Sequence, residues 1–450
     1  MTFLVWHSRK VLSSNVKSTF HSLRKHLHEI FPQIKKELPP VTNENQYEVL
    51  SRVVAPLWDI DYVEQLMGKK KWTRQVVATI KSRKISKFKT VIHEILPSPL
   101  IESYRNKDEF SIRQGIDGND KTVGFFIGSP AEGNVVCVQP TKLISLKDCH
   151  MLFAEVFQQL IRDSPLKACH DFHDGGYWRN IIVRSNRKNE IMLIVVVHPG
   201  GASTADMEES KQLIRDRLLS TEANVKSLYF QACPHVRCRN DQAPFELLYG
   251  DEYIYETIHD ITVRVSPDSF LQVNSEAAEI LYDAALGFAN LTDKTTVLDL
   301  YSGIGVISLL ASRQVRGCVG IEHTPSAVED AIFNASYNNI TNCSFVQGRV
   351  EKKIKSVLKE LNLASDLVAF INPGRAGISQ NILRVLRKNT LIRKIVYVSC
   401  KADHKNSLKN FEDFCSVSFD KSEPFLLTDV QPVDIFPLTN HCELILVFQR

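Results

Sequence analysis

From about residue 260 to the C-terminus, short apolar runs alternate with segments whose apolar residues recur at helical spacing. Strands are predicted over 296–300, 318–321, 343–346, 367–371 and 394–398, and helices over 305–312, 326–337, 351–361 and 379–388. Alternation of this kind specifies a doubly wound parallel sheet with helices on both faces. Two last runs, 425–427 and 444–448, are joined by a Pro-rich stretch without helical period. An antiparallel hairpin at the sheet edge accounts for them.

Upstream the pattern differs. Residues 109–113, 122–127, 135–138, 180–184 and 191–197 read as strands separated by Gly, Asn, Asp and Pro, with helical patterns at 149–163 and 207–219. They predict one α+β domain. Residues 47–89 look helical, with Trp58, Tyr62, Leu66 and Val76 among the apolar positions. Two basic patches fall there: 69–71, and Lys81, Arg83, Lys84, Lys87 and Lys89. Such a run is equally a solvated helix face or a contact with a phosphate backbone.

The first 28 residues hold no acidic residue; Arg9, Lys10, Lys17, Arg24 and Lys25 are interleaved with Ser and with apolar residues such as Trp6 and Phe20. That is the composition of a mitochondrial transit peptide, against the plainer reading of a basic surface helix. Pro32, Pro39 and Pro40 mark the break after it. The expected organisation is a transit peptide over 1–40, delivering the protein to the mitochondrial matrix; a helical basic segment over 41–90; an α+β domain over 91–259; and a doubly wound domain over 260–450.

Composition narrows the class. A chain of 450 residues exceeds one ordinary core and suits two or three domains. With 44% hydrophobic and 24% charged residues it reads as an ordinary folded protein, and no apolar run approaches the roughly 18 residues of a membrane span. A net charge of +4 permits a nucleic-acid partner without demanding one. Ten cysteines are scattered, and no second pair follows Cys233 and Cys238 at zinc spacing, so reduced thiols and no metal are expected.

The strongest local signal is VLDLYSGIGVISLL. An apolar strand carrying Asp299 runs into Gly303 and Gly305, where a helix begins; glycines there let the backbone turn tightly and approach a ligand. The next strand ends in Glu322, whose carboxylate can accept both hydroxyls of a ribose. Dinucleotide dehydrogenases share this plan. Ser308 in place of a third glycine, and Asp299 inside the strand, favour an S-adenosylmethionine site. A later strand, IVYVSCK, ends near Cys400, at the sheet end where functional groups cluster. By itself that cysteine reads as a buried structural thiol.

Four segments together resemble the RNA (uracil-5-)-methyltransferases, most nearly their animal mitochondrial tRNA branch. They are SPDSFLQVNSEAAEILY, VLDLYSGIGVISLL with its following GIE, INPGRAGI, and YVSCKADH followed by HCEL. SYRNKDEFSI, KTVGFFIG, GNVVCVQ and DGGYWRN extend the resemblance, which covers the chain from about residue 95 onward. It implies a Rossmann-like S-adenosylmethionine-dependent methyltransferase domain, its doubly wound sheet carrying an antiparallel edge hairpin, preceded by a smaller α+β domain. It further implies that Gln272, Tyr301, Gly303, Glu322 and Asn372 hold the cofactor, that Cys400 is the nucleophile and that Glu443 is the base. The family often has Asp where this chain has Asn372; an amide keeps a hydrogen bond but brings no charge.

The chemistry asks for those residue types. Carbon-5 of uracil is a poor nucleophile until a thiolate adds at carbon-6, and the adduct then needs a base to remove its surplus carbon-5 proton. The substrate implied is the T-loop uridine of tRNA, with an rRNA uridine as second candidate; the expected enzyme is monomeric, with no membrane partner. Its target base must leave the stack. Tyr104, Arg105, Lys107, Arg113, Tyr177, Trp178 and Arg179 combine cations with rings and are the expected RNA contacts. Rival readings are an RNA cytosine-5 methyltransferase, which the absence of Cys in 372–375 disfavours, a nucleotide-dependent oxidoreductase, and a catalytically silent RNA-binding factor.

Overall fold

The computed structural model describes residues 30, 38–82, 89–128, 135–170, 175–235, 242–361, 366–417, 419–420 and 422–450. The expected transit peptide lies almost wholly outside them, as do Arg83, Lys84 and Lys87 of the second basic patch.

The doubly wound expectation is met in the C-terminal half. The strands are β11 (Thr295–Leu300), β12 (Gly317–Glu322), β13 (Cys343–Gln347), β14 (Asp366–Ile371), β15 (Ile392–Ser399), β16 (Leu426–Val433) and β17 (Glu443–Gln449), together with the short upstream β1 (Val91–Ile92). Their order is β1-β16-β17-β15-β14-β11-β12-β13. Pairs from β13 to β15 are parallel, whereas β17 runs antiparallel to both β15 and β16. The hairpin thus exists, but it inserts β17 beside β15 and leaves β16 outside. A helix precedes it that the pattern did not reveal, Lys405–Cys415.

The two-residue period of the strands sorts two cores. Val297, Val368, Val396, Val398 and Ile445 face one side, with the helices Ser275–Ala289, Val306–Ala311 and Pro325–Tyr337. Leu298, Leu300, Ala369, Ile395 and Leu444 face the other, under Val350–Glu360, Gln380–Lys388 and Lys405–Cys415. A strand buried on both faces reads as a continuous apolar run, as β17 does.

The upstream unit is a seven-stranded mixed sheet, ordered β4-β3-β2-β5-β6-β7-β8, from β2 (Lys107–Arg113), β3 (Thr122–Ile127), β4 (Val136–Val138), β5 (Trp178–Ser185), β6 (Ile191–Val197), β7 (Val225–Ala232) and β8 (Glu246–Gly250). One face packs under the helices Asp148–Asp163 and Thr204–Leu218. Met192, Ile194 and Val196 on its other face join the first methyltransferase core, so the two units share apolar packing. A hairpin, β9 (Ile254–Ile258) with β10 (Ile261–Val265), lies between them in sequence, and residues 259 and 260 form its turn.

The basic segment is not a single exposed unit. Helix α1 (Gln46–Val54) sends Val49 and Leu50 into the core of the upstream sheet. Helix α2 (Tyr62–Lys81) sends Trp72, Val76, Val77 and Ile80 into the second methyltransferase core. Each such side chain contributes roughly 1.5–3 kcal/mol by leaving water. Lys69 is buried, while Lys71, Lys81 and Lys89 stay exposed. Eight described cysteines are free, but Cys233 is disulfide-bonded, so reduced thiols do not hold throughout.

Candidate active site

Parallel strands bring distant residues to one edge of a sheet. Strands β12, β11, β14 and β15 are consecutive and end together, so Glu322, the 301–305 loop, Asn372 and Cys400 line one edge. Because β17 is antiparallel, it begins at that edge, with Glu443. The register ends by pairing Ser399 with Leu444, so Cys400, which follows Ser399, and Glu443, which precedes Leu444, flank that last pair.

The cofactor loop is built for close approach. Tyr301 (φ 65°), Gly303 (φ 54°) and Gly305 (φ 88°) occupy the left-handed region, and the helix Val306–Ala311 starts at Gly305. A Cβ on Gly305 would lie 2.8 Å from the Phe345 ring. Glu322 is oriented by three backbone donors: Gly303 N at 3.0 Å, His323 N at 2.6 Å and Thr324 N at 2.8 Å. Ser308, where a dinucleotide fingerprint would have glycine, donates to Asp299 Oδ2 at 2.8 Å. The other Asp299 oxygen is buried without a partner, and burial pushes this carboxyl up to about 6, with Ser308 pulling it down. An unpartnered buried acceptor beside a glycine cradle and an oriented carboxylate fits a polar nucleoside-type group such as S-adenosylmethionine.

Gln272 is buried in the 266–274 loop, which is tied down from several sides. Arg184 of β5, itself buried, donates to the carbonyls of Ser266, Pro267 and Ser269. Asn106 donates to Gln272 O at 2.8 Å, and Asn274, which caps the helix Ser275–Ala289, donates to Ile435 O at 3.2 Å. Asn372 is fixed through its backbone, N to Leu300 O at 3.3 Å.

Burial opposes the ionisation of both the thiol and the carboxyl, and the carboxyl adds to the effect on the thiol. Cys400 is pushed up to about 11, by burial most and by Glu443 as well, with Arg375 and Lys401 pulling the other way. Burial alone pushes Glu443 up to about 8, and its Oε2 is buried without a partner. Arg375, inside INPGRAGI, went unnoticed in the sequence; a lone cation in a motif that reaches the same sheet edge as Cys400 was its one signal. Trp72 was missed as well. It lines a pocket with Cys400, Lys401, Asp403, Asn440, His441 and Cys442, although it lies over 300 residues away in sequence.

The expected RNA contacts fare unevenly. Tyr104, Tyr177 and Trp178 are buried, their polar atoms bonded to Pro437 O, Ser210 Oγ and Ser164 Oγ. They are core residues and no stacking platform: each ring is buried and each polar atom is already hydrogen-bonded within the protein. Arg105 is tied to Asp108, whose other oxygen meets His150 at 2.7 Å. Arg179 donates to the carbonyls of Cys233 and His235. Lys107 is pushed down to about 8 by burial and by Arg184. Arg113 lies over Phe126, 5.5 Å from the ring centroid, and that ring is 37% exposed. Among the described residues no group of three His, Cys, Asp or Glu could hold a metal, and no helix is long and apolar enough to cross a membrane.

Comparison with known proteins gives the family. Residues 235–450 match the family tRNA (Uracil-5-)-methyltransferase. The chain is 37% identical to human tRNA (uracil-5-)-methyltransferase homolog B over 90% of its length and 84% of that protein's. With the zebrafish (Danio rerio) homolog B it shares 38% identity, covering 92% of this chain and 90% of the relative. In fold it resembles the Pyrococcus abyssi tRNA (uracil-54, C5)-methyltransferase solved with S-adenosyl-L-homocysteine: TM-score 0.62 at 20% identity, over 88% and 86% of the two chains. This chain therefore belongs to the tRNA (uracil-5-)-methyltransferase family and is an enzyme of that class.

Proposed function

We propose that this enzyme methylates carbon-5 of the T-loop uridine of mitochondrial tRNA, as a monomer, with Cys400 as covalent nucleophile and Glu443 as base. The observation that carries the reading is the juxtaposition of Cys400 and Glu443 at the edge where the cofactor loop ends. The acid-free, basic N-terminal sequence supports a mitochondrial address.

S-adenosylmethionine supplies the methyl group as an electrophile; Asp299, Gly303, Glu322, Gln272, Tyr301 and Asn372 are the residues that would hold it. The protein's own part is at the base. The Cys400 thiolate forms a bond to carbon-6, and the displaced electron pair enriches carbon-5. After methylation, Glu443 accepts the carbon-5 proton. The electron pair left behind restores the carbon-5 to carbon-6 double bond, and the pair of the carbon–sulfur bond returns to Cys400. Arg375 and Lys401 favour the thiolate at the start and the departing sulfur at the end. Burial of Glu443 keeps its carboxylate poorly solvated and so more basic toward a carbon acid.

The test is nucleoside mass spectrometry after incubation with methyl-labelled donor, over a panel of mitochondrial tRNA and rRNA, beside Cys400→Ala. Labelled 5-methyluridine in tRNA, with the intact protein only, is expected. Label in rRNA would move the substrate, labelled 5-methylcytidine would change the base, and no label would overturn the reading.

A further inference from the structure

The turn over 434–442 delivers Glu443 to the sheet edge, and its anchorage comes from α2, the lysine-rich helix that the function above leaves unused. Gln65, Lys69 and Trp72 sit at i, i+4 and i+7, on one helix face. Lys69 Nζ donates to Asp434 Oδ1 at 2.6 Å and to Phe436 O at 3.0 Å, and neither charged side chain is exposed. Gln65 Oε1 accepts from Leu438 N at 2.9 Å, while Gln65 Nε2 donates to Leu57 O and Ile60 O. Leu57 N in turn donates to Leu438 O at 2.9 Å. Leu438 has φ 65°, a conformation a branched side chain adopts only when its surroundings hold it there. One more turn along the helix, Trp72 touches the pocket that contains Cys400 and Cys442.

A buried lysine that neutralises one carboxylate and caps a carbonyl in the same turn is costly unless the geometry it enforces is useful. We propose that Lys69 is a positioning residue for proton removal: acting through Asp434 and the 434–442 turn, it sets the Glu443 carboxylate against carbon-5 of the adduct. The proposal rests on the reading of Glu443 as base. Addition of Cys400 and methyl transfer precede that step and do not call on Glu443, so weakening the anchor slows only the last one. The carbon–sulfur bond then persists, and methylated RNA stays attached to the protein.

Lys69→Met alone would strand Asp434 without its cation, so the test uses full-length Lys69→Met/Asp434→Asn, which removes both charges, beside Gln65→Met. Each is incubated with an unmodified tRNA transcript and S-adenosylmethionine. Turnover is measured, and the covalent RNA–protein species is measured on denaturing gels. The expected result is a 10-fold or larger fall in kcat with KM for RNA within about twofold, and a several-fold rise in trapped, methylated adduct. Gln65→Met should move in the same direction by less. A variant with wild-type kcat and no added adduct, or one that loses RNA affinity or adduct formation instead, overturns the proposal while leaving Cys400 and Glu443 in their roles. Wild-type protein that forms no Cys400-dependent adduct overturns both readings together.

Discussion

Cys400 directly follows Ser399, the last strand residue paired with Leu444, and Glu443, which directly precedes Leu444 on the antiparallel neighbour, makes the Cys400 thiol harder to ionise. A thiol and a carboxyl placed this close cannot both be charged cheaply. The pair holds its protons to unusually high pH, with Glu443 at about 8 and Cys400 at about 11 in the free protein. Both must lose a proton during one turnover. The expected kcat/KM therefore climbs as pH rises through neutrality, about tenfold per unit where one deprotonation limits. Rates across a pH series under saturating donor check this; a profile flat from pH 6 to about 9 would remove the pair from the rate-determining chemistry.

The same buried carboxyl predicts a stability effect of opposite sense. Its folded value of about 8 stands above the ordinary 4.5, so the folded state binds the proton more tightly than the unfolded state. Stability from this group is full below the ordinary value and is lost as pH rises toward the folded one. Glu443→Gln keeps the volume and removes the charge. It should stop release of product, and above pH 8 it should melt higher than wild type by roughly 2–4 kcal/mol of unfolding free energy. Thermal melts of both proteins at about pH 4.5 and pH 9 decide it: the gap should be small at the lower pH and open at the higher.

Gly305→Ala tests the cofactor loop. At φ 88° an alanine is strained, and its Cβ would meet Phe345 at 2.8 Å and Ala331 at 3.1 Å. A cost of about 1–3 kcal/mol is expected, along with a raised KM for the methyl donor and little change in RNA affinity. Calorimetric titration of the donor separates the two. Unchanged donor affinity in a folded variant would mean that this glycine serves only the helix start.

The methyltransferase sheet was readable because its strands alternate faces and its helices keep their period; the strands predicted at 343–346 and 394–398 appear as Cys343–Gln347 and Ile392–Ser399. Other elements carried no such mark. Strand Glu246–Gly250 is largely exposed, so nothing in its pattern separated it from a loop. The hairpin β9–β10 does alternate, but its signal fell where the pattern changes between units. The role of α2 was hidden for a different reason. A lysine run signals solvent by default, and nothing local announces that Lys69 meets a carboxylate 365 residues away. The roles proposed for Cys400 and Glu443 came only from the combined motifs, since neither residue type is distinctive alone.

The expected RNA contacts give the last prediction, and it separates two arginines on β2 and its approach. Arg105 is committed to Asp108, a fully buried carboxyl; burial would raise it, but Arg105 and His150 outweigh that and hold it below its usual range. Removing the cation leaves a buried charge half-paired. Arg105→Ala should cost about 3–5 kcal/mol of stability, with the salt dependence of RNA binding unaltered in whatever fraction folds. Arg113, stacked over a partly exposed Phe126, has no carboxylate partner among the described residues and remains free to meet a phosphate. Arg113→Ala should leave the melting temperature nearly unchanged. It should lower the slope of log affinity against log salt by about 0.7–0.9. Filter binding of tRNA at four salt concentrations measures both slopes; equal slopes for Arg113→Ala and wild type would move the RNA path off this strand.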